Sequence, residues 1–362
     1  MKLEVDQTSR VRAFPVQIIE VDGGVVVRRG CAQVKFSGDG AHAIVSQLFE
    51  GASRPDGVDE DALVASFAGP FRSSVSALIK ELRARRLLVD AKDPAGPQSP
   101  EGPLEVFYWH FGSTVSLTTE GLAKTKLVIM GVGEISRQLA RALRASGIES
   151  FDVVDHPQLR NLHFFEDDGT IVSQAWGADL PMPATFESWS ERDEELGCLV
   201  ATSDFGGTQT MRQWNEFAVE SKCHFLPVVL QDLIGYIGPL VVPGETACYE
   251  CLRARQNSHF DDPPMQRLVE GTAFEGQAVA GHHPSMTSVL GDLAALELTK
   301  FYGRTFPNPR VGTLIQVNLM TTEIVARKVL KVPRCRVCSP LIPRGSTSPD
   351  KTIFMPGHPV TR

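Results

Sequence analysis

The chain has 362 residues, of which 42% are hydrophobic and 22% charged, an ordinary globular composition with length for about two domains. Its net charge of −7 argues against non-specific nucleic-acid binding, and no apolar run approaches the ~20 residues of a membrane span. The opening Met1-Lys2-Leu3-Glu4-Val5-Asp6 has no apolar signal region, so the expectation is a cytoplasmic protein with neither a membrane nor a nucleic acid as partner.

In chain order, β-rich runs predict strands over 14–21, 25–29 and 31–36, with Asp22-Gly23-Gly24 as turn chemistry between the first two. A helical stripe follows at Ile44, Val45, Leu48 and Phe49. A second helix is expected over 59–67, and a third over 71–86, where Phe71, Val75, Leu78, Ile79 and Leu82 recur at helical spacing. Residues 87–89 read as a closing strand. Three strands followed by three helices predict a small winged-helix-like α+β module over 1–92. Four prolines and two glycines within 91–104 then mark a linker, set at 93–104.

Beyond it, strands alternate with helices. A strand over 126–130 runs into Gly131-Val132-Gly133 and a helix ending near 146. Strands over 151–154, 198–202 and 224–230 follow, with a helix over 210–222, and the alternation predicts an α/β, doubly wound, mostly parallel sheet. A helix over 286–302 and a hairpin over 312–330 close a domain set at 105–338. The Pro-, Ser- and Thr-rich tail over 339–362 is expected to be flexible.

Seven cysteines divide unevenly. Cys248-x-x-Cys251 and Cys335-x-x-Cys338 each place two sulfurs on one side of a turn, and together they supply the four thiolates of a closed tetrahedral site. Such a shell favours zinc and leaves no position for a substrate, so the reading is structural zinc that staples the last hairpin to the body of the domain; four unpaired buried cysteines are the alternative. Cys31, Cys198 and Cys223 read as small core residues. Gly131-Val132-Gly133-Glu134-Ile135-Ser136, between strand and helix, suits a nucleotide-binding turn, and Asp155 ends the next strand where an acid can bind a ribose. Yet Ser136 replaces the third glycine and Glu134 brings a negative charge to the phosphate position. These residues alone fit either a dinucleotide site, as in an NAD-dependent oxidoreductase, or a degenerate one. His282 and His283 read as loop residues at a subunit interface.

Several ordered stretches carry a resemblance. They are Gly235 to Gly244 followed by Glu245-Thr246-Ala247-Cys248-Tyr249-Glu250-Cys251-Leu252; Leu199 to Asp204 with Asn215-Glu216; Ala295-Leu296-Glu297 with Lys300; and Pro333-Arg334-Cys335-Arg336-Val337-Cys338. Over about 126–338 the chain resembles the ThiF/MoeB superfamily of ubiquitin-activating-like adenylating proteins. That resemblance implies a metal-binding acid at Asp204. It also exposes departures. Asp155 is followed by His156-Pro157-Gln158 where active members carry a second aspartate. Asn161 stands out of register, the Arg-Gln pair is replaced near Phe164-Phe165, and Phe205 stands where an Asn is expected. No cysteine occurs between Cys251 and Cys335 to form a thioester. ATP chemistry needs cations against the triphosphate, so ATP is not expected as a cofactor, and Gly131, Gly133, Asp155 and Asp204 are read as a degenerate nucleotide pocket.

The whole chain resembles the partner proteins of YcaO cyclodehydratases in azoline-containing ribosomal peptide (bacteriocin) biosynthesis, in which a PqqD-like winged-helix module precedes a degenerate ThiF-like domain with a four-cysteine zinc site. The resemblance implies a precursor leader peptide added as a strand to the edge Ala32-Gln33-Val34-Lys35-Phe36, against the third helix at Leu78, Leu82, Arg83 and Arg86. Basic residues also suit a helix C-terminus for local reasons. It further implies a YcaO-type cyclodehydratase as partner, a homodimer, and no catalytic residue in this chain. An active adenylating enzyme acting on a peptide carboxylate is the alternative, and a DNA-binding winged helix is disfavoured by the charge.

Overall fold

Two turns with left-handed glycines, Gly23 (φ 71°) and Gly30 (φ 57°), fold the first antiparallel sheet of the protein. The computed structural model describes residues 10–91, 102–192, 195–271, 281–303 and 310–341. Among them the chain divides into two compact units, one reaching to Glu120 and taking in Gly303, the other starting at Gly121.

The first unit carries β1 (Arg10–Ala13), β2 (Gln17–Val21), β3 (Gly24–Arg29), β4 (Ala32–Ser37), α1 (Ala41–Ala52), β5 (Val58–Asp59), α2 (Glu60–Ala65), α3 (Arg72–Ala84), β6 (Leu88–Asp90), α4 (Pro103–Trp109) and the start of α5 (Val115–Ala123). Strands β2-β3-β4 form one antiparallel sheet and β5-β1-β6 another. The strand predicted over 14–21 is β2, shortened to start at Gln17 after Pro15, which cannot donate to a ladder; β1, just before it in the chain, was not expected and belongs to the other sheet. The expected strand over 87–89 exists as β6 but pairs with β1. Helix α2 starts where Asp59 accepts a hydrogen bond from the Ala62 amide at 2.8 Å, an N-cap worth about 1 kcal/mol. Helix α3 buries Val75, Ile79 and Leu82 along one stripe, against Val25, Val27 and Val34 of the sheet and Val45 and Leu48 of α1. Each such side chain contributes roughly 1.5–3 kcal/mol by leaving water.

The second unit carries β7 (Leu127–Met130), α6 (Glu134–Ala145), β8 (Phe151–Asp155), α7 (Ser173–Trp176), β9 (Ala184–Thr185), α8 (Phe186–Ser190), β10 (Cys198–Ser203), α9 (Thr208–Glu220), β11 (His224–Gln231), β12 (Ile234–Ile237), α10 (Tyr249–Asn257), α11 (Pro263–Gly271), α12 (Pro284–Gly303), β13 (Thr313–Asn318) and β14 (Glu323–Lys328). They build one eight-stranded sheet in the order β14-β13-β12-β11-β10-β7-β8-β9. Strands β11, β10, β7, β8 and β9 run parallel, and β12, β13 and β14 extend the sheet antiparallel. In β7 all four residues are buried: Leu127 and Ile129 enter one core with Leu139 of α6 and Leu290 of α12, and Val128 and Met130 enter the opposite core with Met211 and Trp214 of α9. A parallel strand covered on both faces reads as a continuous apolar run, which is why this part of the sheet was legible. Strand β12 was not expected, since its Gly235 breaks the β-rich pattern. No helix of the described residues is long and apolar enough to cross a membrane. Most of the expected linker, 92–101, and most of the tail, 342–362, lie outside the described residues.

Candidate functional site

Strand β7 runs straight into the glycine turn. Gly131 adopts φ 109°, and a Cβ there would meet the Thr202 carbonyl oxygen at 2.7 Å, so the position demands glycine. Helix α6 then presents its first amides to the turn. In a nucleotide site these would hold phosphate. Here they hold a carboxylate of the chain itself: Asp204 accepts hydrogen bonds from the Glu134 amide (2.7 Å), the Ile135 amide (3.1 Å) and Asn161 Nδ2 (2.8 Å). Asp204 is 6% exposed, and a Cβ at Gly133 would lie 2.5 Å from its Oδ2. Asn161, out of register by sequence, thus has a task in placing Asp204.

Asp155 is also engaged. Arg160 donates to it from Nε and Nη2, each at 2.7 Å, in a two-pronged ion pair, and its guanidinium lies 4.9 Å from the centre of the Phe165 ring. Arg160 was missed by sequence reasoning, since no motif spacing marks it. Next in the chain, His156 is fully buried, with its ring edge-on to Phe186 and Trp214 at centroid distances of 5.0 and 5.6 Å. The residue at the second acid's position is therefore part of an aromatic core. Burial, then the charge of Arg160, pushes the His156 imidazole down from 6.5 to about 3. The unfolded chain takes up this proton below its ordinary value and the folded chain does not, so stability falls as pH drops through that window. The contribution lost at pH 5 is about 2 kcal/mol. We expect His156→Phe to show a smaller drop in urea midpoint between pH 7 and pH 5 than the unsubstituted chain; equal drops would contradict the assignment.

Of the residues Gly131, Gly133, Asp155 and Asp204, Asp204 is thus engaged beside Gly133 by the first amides of α6, and Asp155 by Arg160.

The four motif cysteines converge in the same unit, their sulfurs all within 4.8 Å of one another. Cys248 and Cys251 are 3.9 Å apart, Cys248 and Cys335 3.6 Å, and Cys251 and Cys338 3.4 Å. A tetrahedron with 2.3 Å metal–sulfur bonds has edges of about 3.8 Å, so the donor set fits a four-thiolate metal ion. Cys251 is held low as a thiolate by hydrogen bonds from Cys248 and Cys338, and it also accepts the Val332 amide at 3.4 Å. Asn215 supports the first knuckle by accepting the Tyr249 amide at 2.9 Å. Between the knuckles, Glu250 reaches Arg212 (3.3 Å) and Arg336 (3.6 Å), tying the first pair to the second. Of the other cysteines, Cys198 and Cys223 are buried as expected, but Cys31 is exposed. It follows Gly30 in the β3–β4 turn, where the chain reverses outside the core.

In the first unit, β4 is an edge strand of its sheet. Val34 is buried, Ala32 and Phe36 are half-buried, and Gln33 and Lys35 are exposed, an alternation that turns one face to the core. Leu82 is buried and Leu78 half-buried in the same core as Val34. Arg83 pairs with Glu60 at 2.9 Å and with Asp90, and Arg86 donates to the Phe111 carbonyl at 3.1 Å. Arg83 thus balances local carboxylates, and the basic character foreseen at the end of α3 is reduced. His282 and His283 precede α12, with the His282 ring 5.7 Å from that of Phe205.

No family model matches the sequence, and no curated protein matches it. Solved structures do. The crystal structure of MccB from E. coli matches with a TM-score of 0.64 at 16% identity, covering 93% of this chain and 99% of that one. The microcin C7 biosynthetic enzyme MccB in complex with N-formylated MccA matches at 0.62 and 16% identity, over 91% and 99%. A heterocyclase in complex with substrate and cofactor matches at 0.59 and 19% identity, over 92% of this chain; the chain spans 40% of the heterocyclase. At these identities the likeness is one of fold alone.

Proposed function

We propose that the protein is a non-catalytic scaffold of ribosomal peptide biosynthesis. It binds the leader of a precursor peptide and presents the core peptide to a YcaO-type cyclodehydratase that forms thiazoline or oxazoline rings. The observation that carries this reading is the Asp204 carboxylate seated on the first amides of α6, where a nucleotide's phosphates would otherwise lie. The Asp155–Arg160 pair supports it by occupying the ribose acid. In this reading residues 1–92, the larger part of the first unit, are a winged-helix-type recognition module, joined through a linker at 93–104 to a ThiF-like domain over 105–338. The leader pairs with the edge of β4: main-chain hydrogen bonds give affinity, and pockets near Leu78 and Leu82 give selectivity. Tethering the peptide raises its effective concentration at the partner enzyme, which supplies the ATP chemistry. The four cysteines hold structural zinc, and the chain works in the cytoplasm as a homodimer.

A second reading, an ATP-dependent adenylating enzyme acting on a peptide carboxylate, is favoured by the end-to-end match to MccB, which has also been solved with ATP. One experiment separates the two. The full-length chain is incubated with ATP and magnesium, with and without any short precursor peptide found encoded beside its gene, and AMP formation and peptide binding are both measured. Saturable peptide binding without AMP supports the scaffold. AMP formation by this chain alone would overturn it.

A further inference from the structure

A cavity lies in the large unit beside the cysteine cluster, with Tyr249 and Leu252, the neighbours of Cys248 and Cys251, in its lining. Its volume is about 590 Å³, and it opens between β11 and β12 on one side and α10 and α11 on the other, within the range that holds small ligands. Pro227, Tyr236, Leu252 and Phe260 give it apolar walls. Arg253 and Glu270, with side chains only 8% and 4% exposed, form an ion pair in its lining. That pair is half made. Arg253 donates from Nη2 to Glu270 Oε1 and from Nη1 to Gln256 at 2.7 Å, and Gln266 donates to the same Oε1 at 3.0 Å. Arg253 Nε and Glu270 Oε2 are buried with no hydrogen-bond partner among the described residues.

Burying a donor and an acceptor unmatched is unfavourable for each of them. Nε and Nη2 share one carbon, as do Oε1 and Oε2, so each unpartnered atom is bonded to the same carbon as an atom of the Nη2–Oε1 contact. The group that answers both offers a carbonyl oxygen to Arg253 and an N–H to Glu270. A primary carboxamide does this. A carboxylate does not, because it would meet Glu270, and an aliphatic side chain satisfies neither atom. We propose that this cavity binds a peptide segment through an Asn or Gln side chain, whose methylenes pack on Tyr236 and Leu252 while the carboxamide completes the Arg253–Glu270 pair.

The probes are three capped pentapeptides, Ala-Ala-X-Ala-Ala with X as Gln, Glu or Leu, titrated into the full-length chain. Binding is followed by calorimetry and by the NMR signal of the Arg253 Nε–H, assigned by its loss in Arg253→Lys. The expected result is saturable binding of the Gln peptide at least tenfold tighter than the other two, with a shift of that Nε–H signal. Because removing one partner of a buried pair can unfold the protein, the control is the double variant Arg253→Met/Glu270→Leu, which removes both charges together. It should fold and lose the preference for Gln. Equal binding of the Gln and Leu peptides, no saturable binding, or a Gln preference that survives in the double variant overturns the proposal. All three outcomes are independent of whether a leader peptide binds β4.

Discussion

Cys248→Ser should strip the protein of its metal and of most of the stability of the large unit. Four thiolates at the observed spacing leave no room for substitution, since a tetrahedral ion with three sulfur ligands and a hydroxyl binds far more weakly. Structural zinc contributes roughly 10–16 kcal/mol of apparent folding free energy in small zinc modules, against about 5–15 kcal/mol for the net stability of a domain. Cys248 and Cys251 open α10, and Cys335 and Cys338 follow β14, with three of these four residues inside the core shared with Trp214 and Phe225. Losing the ion therefore releases the segment after β14 and opens that core. Zinc content by elemental analysis and unfolding by calorimetry, with and without chelator, check this. The expected result is one zinc ion per chain, lost in Cys248→Ser together with a fall of several kcal/mol, while Cys198→Ser keeps its zinc. Undiminished stability in Cys248→Ser would mean that the cysteines are merely packed together.

Asp204→Ala should destabilise the chain and make it respond to phosphate. The substitution leaves the amides of Glu134 and Ile135 and the Asn161 amide nitrogen without their acceptor. At about 1–3 kcal/mol for each stranded group, and with less than full additivity, the loss is roughly 3 kcal/mol, or about 6–12 °C in Tm. The start of α6 is then an open anion site of the kind that binds phosphate. Millimolar phosphate should restore part of the lost Tm in Asp204→Ala and leave the unsubstituted chain unchanged. If phosphate stabilised both equally, Asp204 would not be the group that fills the site.

The local signals carried much of this. The apolar run at β7, the left-handed glycine after it and the helical stripe of α3 each follow from periods and turn chemistry that act within a few residues. Failures came where partners lie far apart. Strand β1 was not expected, because it finds its neighbours, β5 and β6, near residues 58 and 89. Cys31 was assigned to the core from its strand-like surroundings, but a residue beside a turn glycine faces outward. Arg83 was read from its charge alone, and Glu60, the partner that balances it, is 23 positions away.

What the sequence by itself determined is the inventory: an α/β chain, two matched cysteine pairs and a glycine turn between a strand and a helix. Those follow from residue type and short spacing. Only the tertiary structure decided what each polar group faces. Asp204 meets an amide contributed 70 residues earlier, Asp155 is claimed by Arg160, and Arg253 and Glu270, which line a cavity, each keep one buried polar atom without a hydrogen-bond partner among the described residues. The reason is physical: a hydrogen bond or an ion pair acts over about 3–4 Å of space, and spacing along the chain does not fix which groups come that close.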